Sequence, residues 1–243
     1  MHGPLVGEFM GTLVLVLLGD GVVANVLLKK TKGENSGWIV ITTAWGMAVV
    51  GGICTAVACG SPAAHINPAV TLASAFLSKN WSSVLPFWGA QFLGAFVGAI
   101  FVWLIYLLHW KETPEAATKL GVFCTAPAIR KFPANLLTEI IATICLIVVG
   151  FSFGSKSLGP TGLAPGFSPW FWGVLVWVIG LSLGGSTGYA INPARDFAPR
   201  LAHAVLPIPA KGSSDWRYAP VPILGPLIGA VLAALIIKWV GII

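Results

Sequence analysis

An all-α membrane protein, with six transmembrane helices and two re-entrant half-helices set in an inverted repeat, is the fold that this sequence predicts. Three observations carry the prediction. Of the 243 residues, 56% are hydrophobic and 9% charged, whereas a soluble domain carries about 25% charge, so too few charges exist to cover a water-facing surface. Six apolar runs each approach or exceed the length of about 20 residues that a spanning helix needs. Two hexapeptides, His65-Ile66-Asn67-Pro68-Ala69-Val70 and Ala190-Ile191-Asn192-Pro193-Ala194-Arg195, are near copies of one another.

The elements follow in chain order. The first run, near 4–28, is too long for a signal peptide and lacks a basic leader, so it reads as a retained span. A second run lies near 37–59, beyond the polar break Lys29–Ser36. The stretch near 67–78 is apolar but half-length, about 18 Å at 1.5 Å per residue. The third span falls near 83–108 and the fourth near 133–154, separated by the polar segment His109–Lys131. After the Gly/Pro-rich break Ser155–Gly166 come a span near 168–187, a second half-length stretch near 192–204, and a last span near 217–241.

The two halves correspond along their whole length. Glu8-x-x-x-Thr12 matches Glu139-x-x-x-Thr143, and Gln91-x-x-Gly94-Ala95 matches Pro226-x-x-Gly229-Ala230; with the Asn-Pro pair, the offsets are 131, 135 and 125 residues. The chain therefore reads as one domain over 1–243, with a first repeat at about 1–108, a connection at about 109–131 and a second repeat at about 132–243. Three spans per half is an odd number, so the second half must enter from the opposite side. Inverted repeats place their site near the midplane, at the N-termini of half-helices.

Asn at an N-cap followed by Pro at the first helical position is a strong helix start. The side-chain oxygens of Asn67 and Asn192 can cap helices begun by Pro68-Ala69 and Pro193-Ala194, leaving each amide NH2 free to donate. A helix N-terminus carries about half a positive charge. Two such ends meeting inside a membrane would suit neutral hydroxyl groups and repel cations.

On these residues, with Gly7-Glu8-Phe9 and Arg195-Asp196-Phe197, the sequence resembles the aquaporin family over its full length, and within it the glycerol-conducting aquaglyceroporins. The resemblance implies a passive channel for glycerol and other small neutral solutes, with water as a co-permeant. It also implies a homotetramer in the plasma membrane that needs no cofactor. Asp196 after the arginine is typical of the glycerol branch; its place in a first helical turn also favours the dipole.

The family's outer constriction transfers residue by residue. Arg195, three residues after Asn192, falls on the same helix face, and a charge inside the membrane is functional by default. Tyr189 matches an aromatic that is more often Phe. Gly180 matches the place where water-selective members carry His, and Gly there widens the pore. Trp45 matches the aromatic that stacks on the glycerol carbons, aligned through an insertion around Cys59-Gly60-Ser61-Pro62, with Met47 as the alternative. An aromatic wall facing a ring of donors suits a linear polyol.

Glu8 and Glu139, in matching repeat positions, are expected to accept hydrogen bonds from the backbone of the re-entrant loops, where water is scarce. The first alternative to the glycerol reading is a strictly water-selective channel, against which Gly180 and Asp196 argue; the second is a proton-coupled transporter using the two intramembrane acids. His65 reads as a loop-packing residue near the inner mouth. Asp20, at the outer end of the first span, is expected to face the vestibule, and Arg200 to reach a headgroup or a loop. The pairs Gly94/Gly98 and Gly225/Gly229 have the small-xxx-small spacing of closely packed membrane helices.

Other classes are excluded or disfavoured. The net charge of +6 is scattered singly or in pairs, without the basic stripe of a nucleic-acid surface, so the lipid bilayer is its partner. Cys54, Cys59, Cys124 and Cys145 have neither CxxC spacing nor a histidine at metal-site distance. No catalytic or phosphate-binding constellation is present. With both termini inside, Lys79, Lys156 and Lys238 are the inner basic residues and the other eleven fall outside. The positive-inside rule alone would thus reverse the orientation, whereas the resemblance places Arg195 on the outer side.

Overall fold

The computed structural model describes residues 2–159, 162–163 and 166–242. The break expected at Ser155–Gly166 therefore lies partly outside the described residues. Ten helices are described: α1 Pro4–Leu27, α2 Trp38–Ala58, α3 Pro68–Ser78, α4 Val84–Ile105, α5 His109–Glu112, α6 Ala116–Phe123, α7 Phe132–Ser152, α8 Ser168–Leu183, α9 Pro193–Val205 and α10 Pro220–Val240. Five of them, α1, α2, α4, α7 and α10, are long and apolar enough to cross a membrane. Leu85, Leu108 and Trp239, among the most exposed apolar side chains, present the hydrocarbon surface that lipid requires.

Two sequence expectations are corrected. The fifth span, expected to reach residue 187, ends as a helix at Leu183, where Gly184 and Gly185 follow; its 16 residues give about 24 Å, less than a full bilayer core. The connection 109–131 is not simply polar loop. It contains α5 and α6, and α6 packs on α1 and α9, with Trp110 and Phe123 stacked at 5.5 Å and both buried.

The packing of the two halves mirrors itself. Helix α1 lies against α2 and α4, and α7 against α8 and α10. Across the halves, α2 packs on α8, α4 on α9 and α3 on α10. Glycines set the closest approaches. A Cβ at Gly94 would collide with the Phe9 carbonyl, and one at Gly98 would come within 2.7 Å of the Leu13 carbonyl. In the second half, Cβ atoms at Gly225 and Gly229 would stand 2.6 Å from Glu139 Cβ and 2.7 Å from the Ile140 carbonyl. Without an aqueous hydrophobic drive between lipid-embedded helices, such contact is a main source of association.

Both half-helices start as their sequence dictates. Asn67 caps α3 by accepting from Ala69 N at 2.8 Å, and Asn192 caps α9 by accepting from Ala194 N at 3.0 Å and Arg195 N at 3.3 Å. The preceding loops run through Ala64, Ile66, Tyr189 and Ile191, all at φ between 39° and 44°. Left-handed backbone is an outlier for a β-branched residue and costs about 1–3 kcal/mol at each position, so something must hold these loops.

Candidate functional site

The holding groups are Glu8 and Glu139. Glu8, fully buried in α1, accepts from His65 N at 2.8 Å, Ile66 N at 2.7 Å, Ser61 Oγ at 2.7 Å and Gln91 Nε2 at 2.7 Å. Glu139, in α7, accepts from Ala190 N at 3.0 Å, Ile191 N at 2.9 Å and Thr187 Oγ1 at 2.6 Å. Each carboxylate thus takes two successive backbone donors of its own half's loop, and such charge-assisted bonds are about twice as strong as neutral ones. Ser61 and Thr187 escaped the sequence reading. Their signal was a hydroxyl six residues before Asn67 and five before Asn192.

The two helix starts meet. Asn67 Nδ2 donates to the Ile191 carbonyl at 2.9 Å, and Asn192 Nδ2 donates to the Ile66 carbonyl at 2.9 Å. This revises the expectation of free amide groups. An amide NH2 has two hydrogens; one is spent across the meeting point and one is left. His65, on the same loop, places Nδ1 3.1 Å from Thr71 Oγ1 and its ring edge-on to Phe87.

A cavity of about 860 Å³ runs past these groups, bordered by His65, Ile66, Asn67, Ile191 and Asn192 and also by Trp45, Tyr189 and Arg195. The Arg195 guanidinium lies over the Trp45 ring, 4.2 Å from its centroid. Trp45 and not Met47 therefore stands beside the arginine. The ring of Trp45 rests on α1 at Gly19, where any Cβ would strike it.

Gly180 acts at one remove. It is absent from the cavity wall, and a Cβ there would approach Tyr189 Cζ to 2.8 Å, Tyr189 Oη to 3.0 Å and Thr42 Cγ2 to 3.0 Å. The space that Gly180 leaves is filled by the Tyr189 phenol, which Trp38 supports edge-on at 5.8 Å. Trp38 Nε1 in turn donates to the Gly180 carbonyl at 3.1 Å.

Asp196 does more than complement a dipole. Its carboxylate accepts from Thr125 N and Thr125 Oγ1, both at 2.7 Å, and pairs with Arg200 at 2.8 Å. Arg200 is fully buried rather than extended to a headgroup, donating also to the carbonyls of Thr125, Ser214 and Asp215. This cluster ties α9 to the connection between the halves. Asp20 likewise does not face the vestibule: it is fully buried, 3.6 Å from Arg195 Nη1.

Apolar spans and two opposed half-helices beside one cavity have the architecture of a multi-pass membrane channel. The chain belongs to the major intrinsic protein family, whose model matches residues 2–237. It is 58% identical over 233 residues to the probable glycerol uptake facilitator protein of Thermotoga maritima, covering 96% of this chain and 97% of the relative. It is 48% identical to the glycerol uptake facilitator protein of Streptococcus pneumoniae, covering 97% and 98%. Among solved structures, the aquaglyceroporin from Plasmodium falciparum superposes with a TM-score of 0.83 at 26% identity, covering 97% of this chain and 94% of that one. The protein is accordingly a multi-pass protein of the plasma membrane.

Proposed function

We propose that the chain is a passive channel for glycerol and other small neutral solutes, with water as a co-permeant, working as one unit over residues 1–243 within a homotetramer. The observation that carries this reading is the stacking of Arg195 on Trp45 at 4.2 Å, beside Tyr189, on the wall of the cavity that also borders Asn67 and Asn192. The names of the two bacterial relatives support it.

In this reading Trp45 and Tyr189 take the CH face of a polyol, and the lumen-facing part of the Arg195 guanidinium donates to its hydroxyls. Gly180 sets the aperture by seating Tyr189. Farther in, the remaining amide hydrogens of Asn67 and Asn192 donate to the passing hydroxyl or water. The two half-helix ends, each worth about half a positive charge, repel cations and protons there. Glu8 and Glu139 hold the loops that present these groups and take no part in proton transfer.

The test is stopped-flow light scattering on proteoliposomes, with glycerol and water flux measured with and without a pH gradient. Glycerol flux above empty vesicles that ignores the gradient is expected. Water flux without glycerol flux would favour a water-selective channel, and flux that follows the gradient would favour proton coupling.

A further inference from the structure

Asp20 sits in the seventeenth position of the 24-residue helix α1, well inside the helix and away from the polar ends where an acid would cap or reach water. It is fully buried, and neither carboxylate oxygen has a hydrogen-bond partner among the described residues. A buried carboxylate without hydrogen bonds is among the costliest groups a fold can keep, so its retention calls for a compensating charge. That charge is Arg195, whose Nη1 lies 3.6 Å from Asp20 Oδ1 and is itself buried with no hydrogen-bond partner among the described residues.

The separation identifies the kind of interaction. A direct charge-assisted hydrogen bond closes to about 2.8 Å, so at 3.6 Å the pair is held by charge and not by a directed bond. The guanidinium already has its position from the Trp45 ring, 4.2 Å away, and that ring is seated on Gly19, the residue before Asp20. What Asp20 adds is a sign. Behind the constriction, Arg200 is matched by Asp196 at 2.8 Å and Arg195 by Asp20 at 3.6 Å; with Asp20 ionised beside the guanidinium, the two cations and two carboxylates sum to zero. Without Asp20 the sum becomes +1, in surroundings of low dielectric where an uncompensated charge acts strongly.

We propose that Asp20 is a specificity-determining residue of the outer constriction, cancelling the Arg195 charge so that this donor serves neutral hydroxylated solutes and does not capture small carboxylate anions. The inference rests on the channel reading above and deepens it. Arg195 keeps its donors toward the lumen, while the field that would hold an anion there is removed from behind.

The experiment uses glycerate, which is glycerol with one CH2OH replaced by a carboxylate, as a blocker of the reconstituted channel. Wild type, Asp20→Asn and Asp20→Glu are compared in proteoliposomes, with potassium gluconate as the ionic control. Block is read on both glycerol and water flux. Wild type should need glycerate well above the glycerol concentration for half-block, and Asp20→Asn should reach half-block at about one tenth of that concentration, a modest fraction of the pair's Coulomb energy; a conducting Asp20→Asn as insensitive as wild type overturns the proposal. Asp20→Glu restores the charge with altered geometry and should return to insensitivity. A purely structural role would change both variants alike, and that outcome overturns the proposal. So does strong glycerate block of the wild type, a result that stands even if Asp20→Asn does not fold. Wild-type vesicles that pass water but not glycerol would overturn the glycerol reading, while the glycerate response of their water flux still decides the role of Asp20.

Discussion

Asn67 and Ile191 lie 124 residues apart in sequence, yet the side-chain amide of the first donates to the carbonyl of the second at 2.9 Å. The reciprocal bond, from Asn192 to the Ile66 carbonyl, has the same length. Each asparagine therefore caps its own helix with its oxygen and closes the opposite loop with its nitrogen. The residue type is doubly specified: aspartate could cap but not donate, and serine could not reach both partners.

Asn192→Asp separates the two roles. It keeps the acceptor for Ala194 N and Arg195 N and deletes the donor to Ile66, placing a carboxylate oxygen against that carbonyl. A stability loss of about 1–3 kcal/mol is expected from the acceptor left without its bond, together with a cation leak through a midplane whose positive potential has been cancelled. Thermal unfolding in detergent and current in a planar bilayer check this. A variant as stable as wild type and electrically silent would contradict it.

Glu139→Gln replaces an acceptor of three hydrogen bonds with a group whose NH2 opposes donors. The strained backbone at Tyr189 and Ile191 loses part of its hold, at a cost of about 2–3 kcal/mol, since bonds to charged groups carry most of the strength. Folded yield and melting temperature should fall, while the molecules that do fold keep their glycerol-to-water ratio. A fully stable variant that no longer conducts would instead give Glu139 a direct part in permeation.

Gly180→His should reduce glycerol flux far more than water flux. The imidazole has no free space to enter, because Tyr189 Cζ lies 2.8 Å from where its Cβ must sit. It must push the phenol toward the lumen and narrow the aperture with two rings. Paired permeabilities on the same vesicles, normalised to protein, give the answer. Unchanged glycerol flux would show that the seat of Tyr189 does not set the aperture.

Asp196→Asn leaves Arg200 buried without its counter-charge and loosens Thr125. Breaking one partner of a buried pair costs about 3–5 kcal/mol. The variant should unfold earlier and become sensitive to protease in the connection 109–131. Adding Arg200→Met to it removes the stranded charge and should recover much of the loss. A double variant no better than the single one would mean that the bonds to Thr125, and not the ion pair, dominate.

The parts of this fold that were legible in the sequence are those that lipid dictates locally. Apolar length fixed five spans to within a few residues, and Asn-Pro fixed the starts of α3 and α9, because a cap acts over two or three residues. What remained hidden depends on distant groups meeting. Nothing around Thr125 marks it as a partner of Asp196, 71 residues away, and nothing around Asp20 shows that it faces Arg195. The amphipathic turn of α6 lies in a segment whose charges made it read as loop, and packing against α1 and α9 overrides that polarity. Gly180 was read through the side chain it lacks, whereas the effect lies in the neighbour that fills its place.

Glu8 clamps the loop of the first half and Glu139 that of the second, so neither clamp borrows from the other half. During synthesis the first loop can be secured as soon as residues 61–66 have been inserted, long before the second half exists. The Asn67 amide must wait, its acceptor Ile191 still to be translated. Each half thus holds its own re-entrant turn, and the two are joined by the pair of amides and by the packing of α2 on α8, α4 on α9 and α3 on α10.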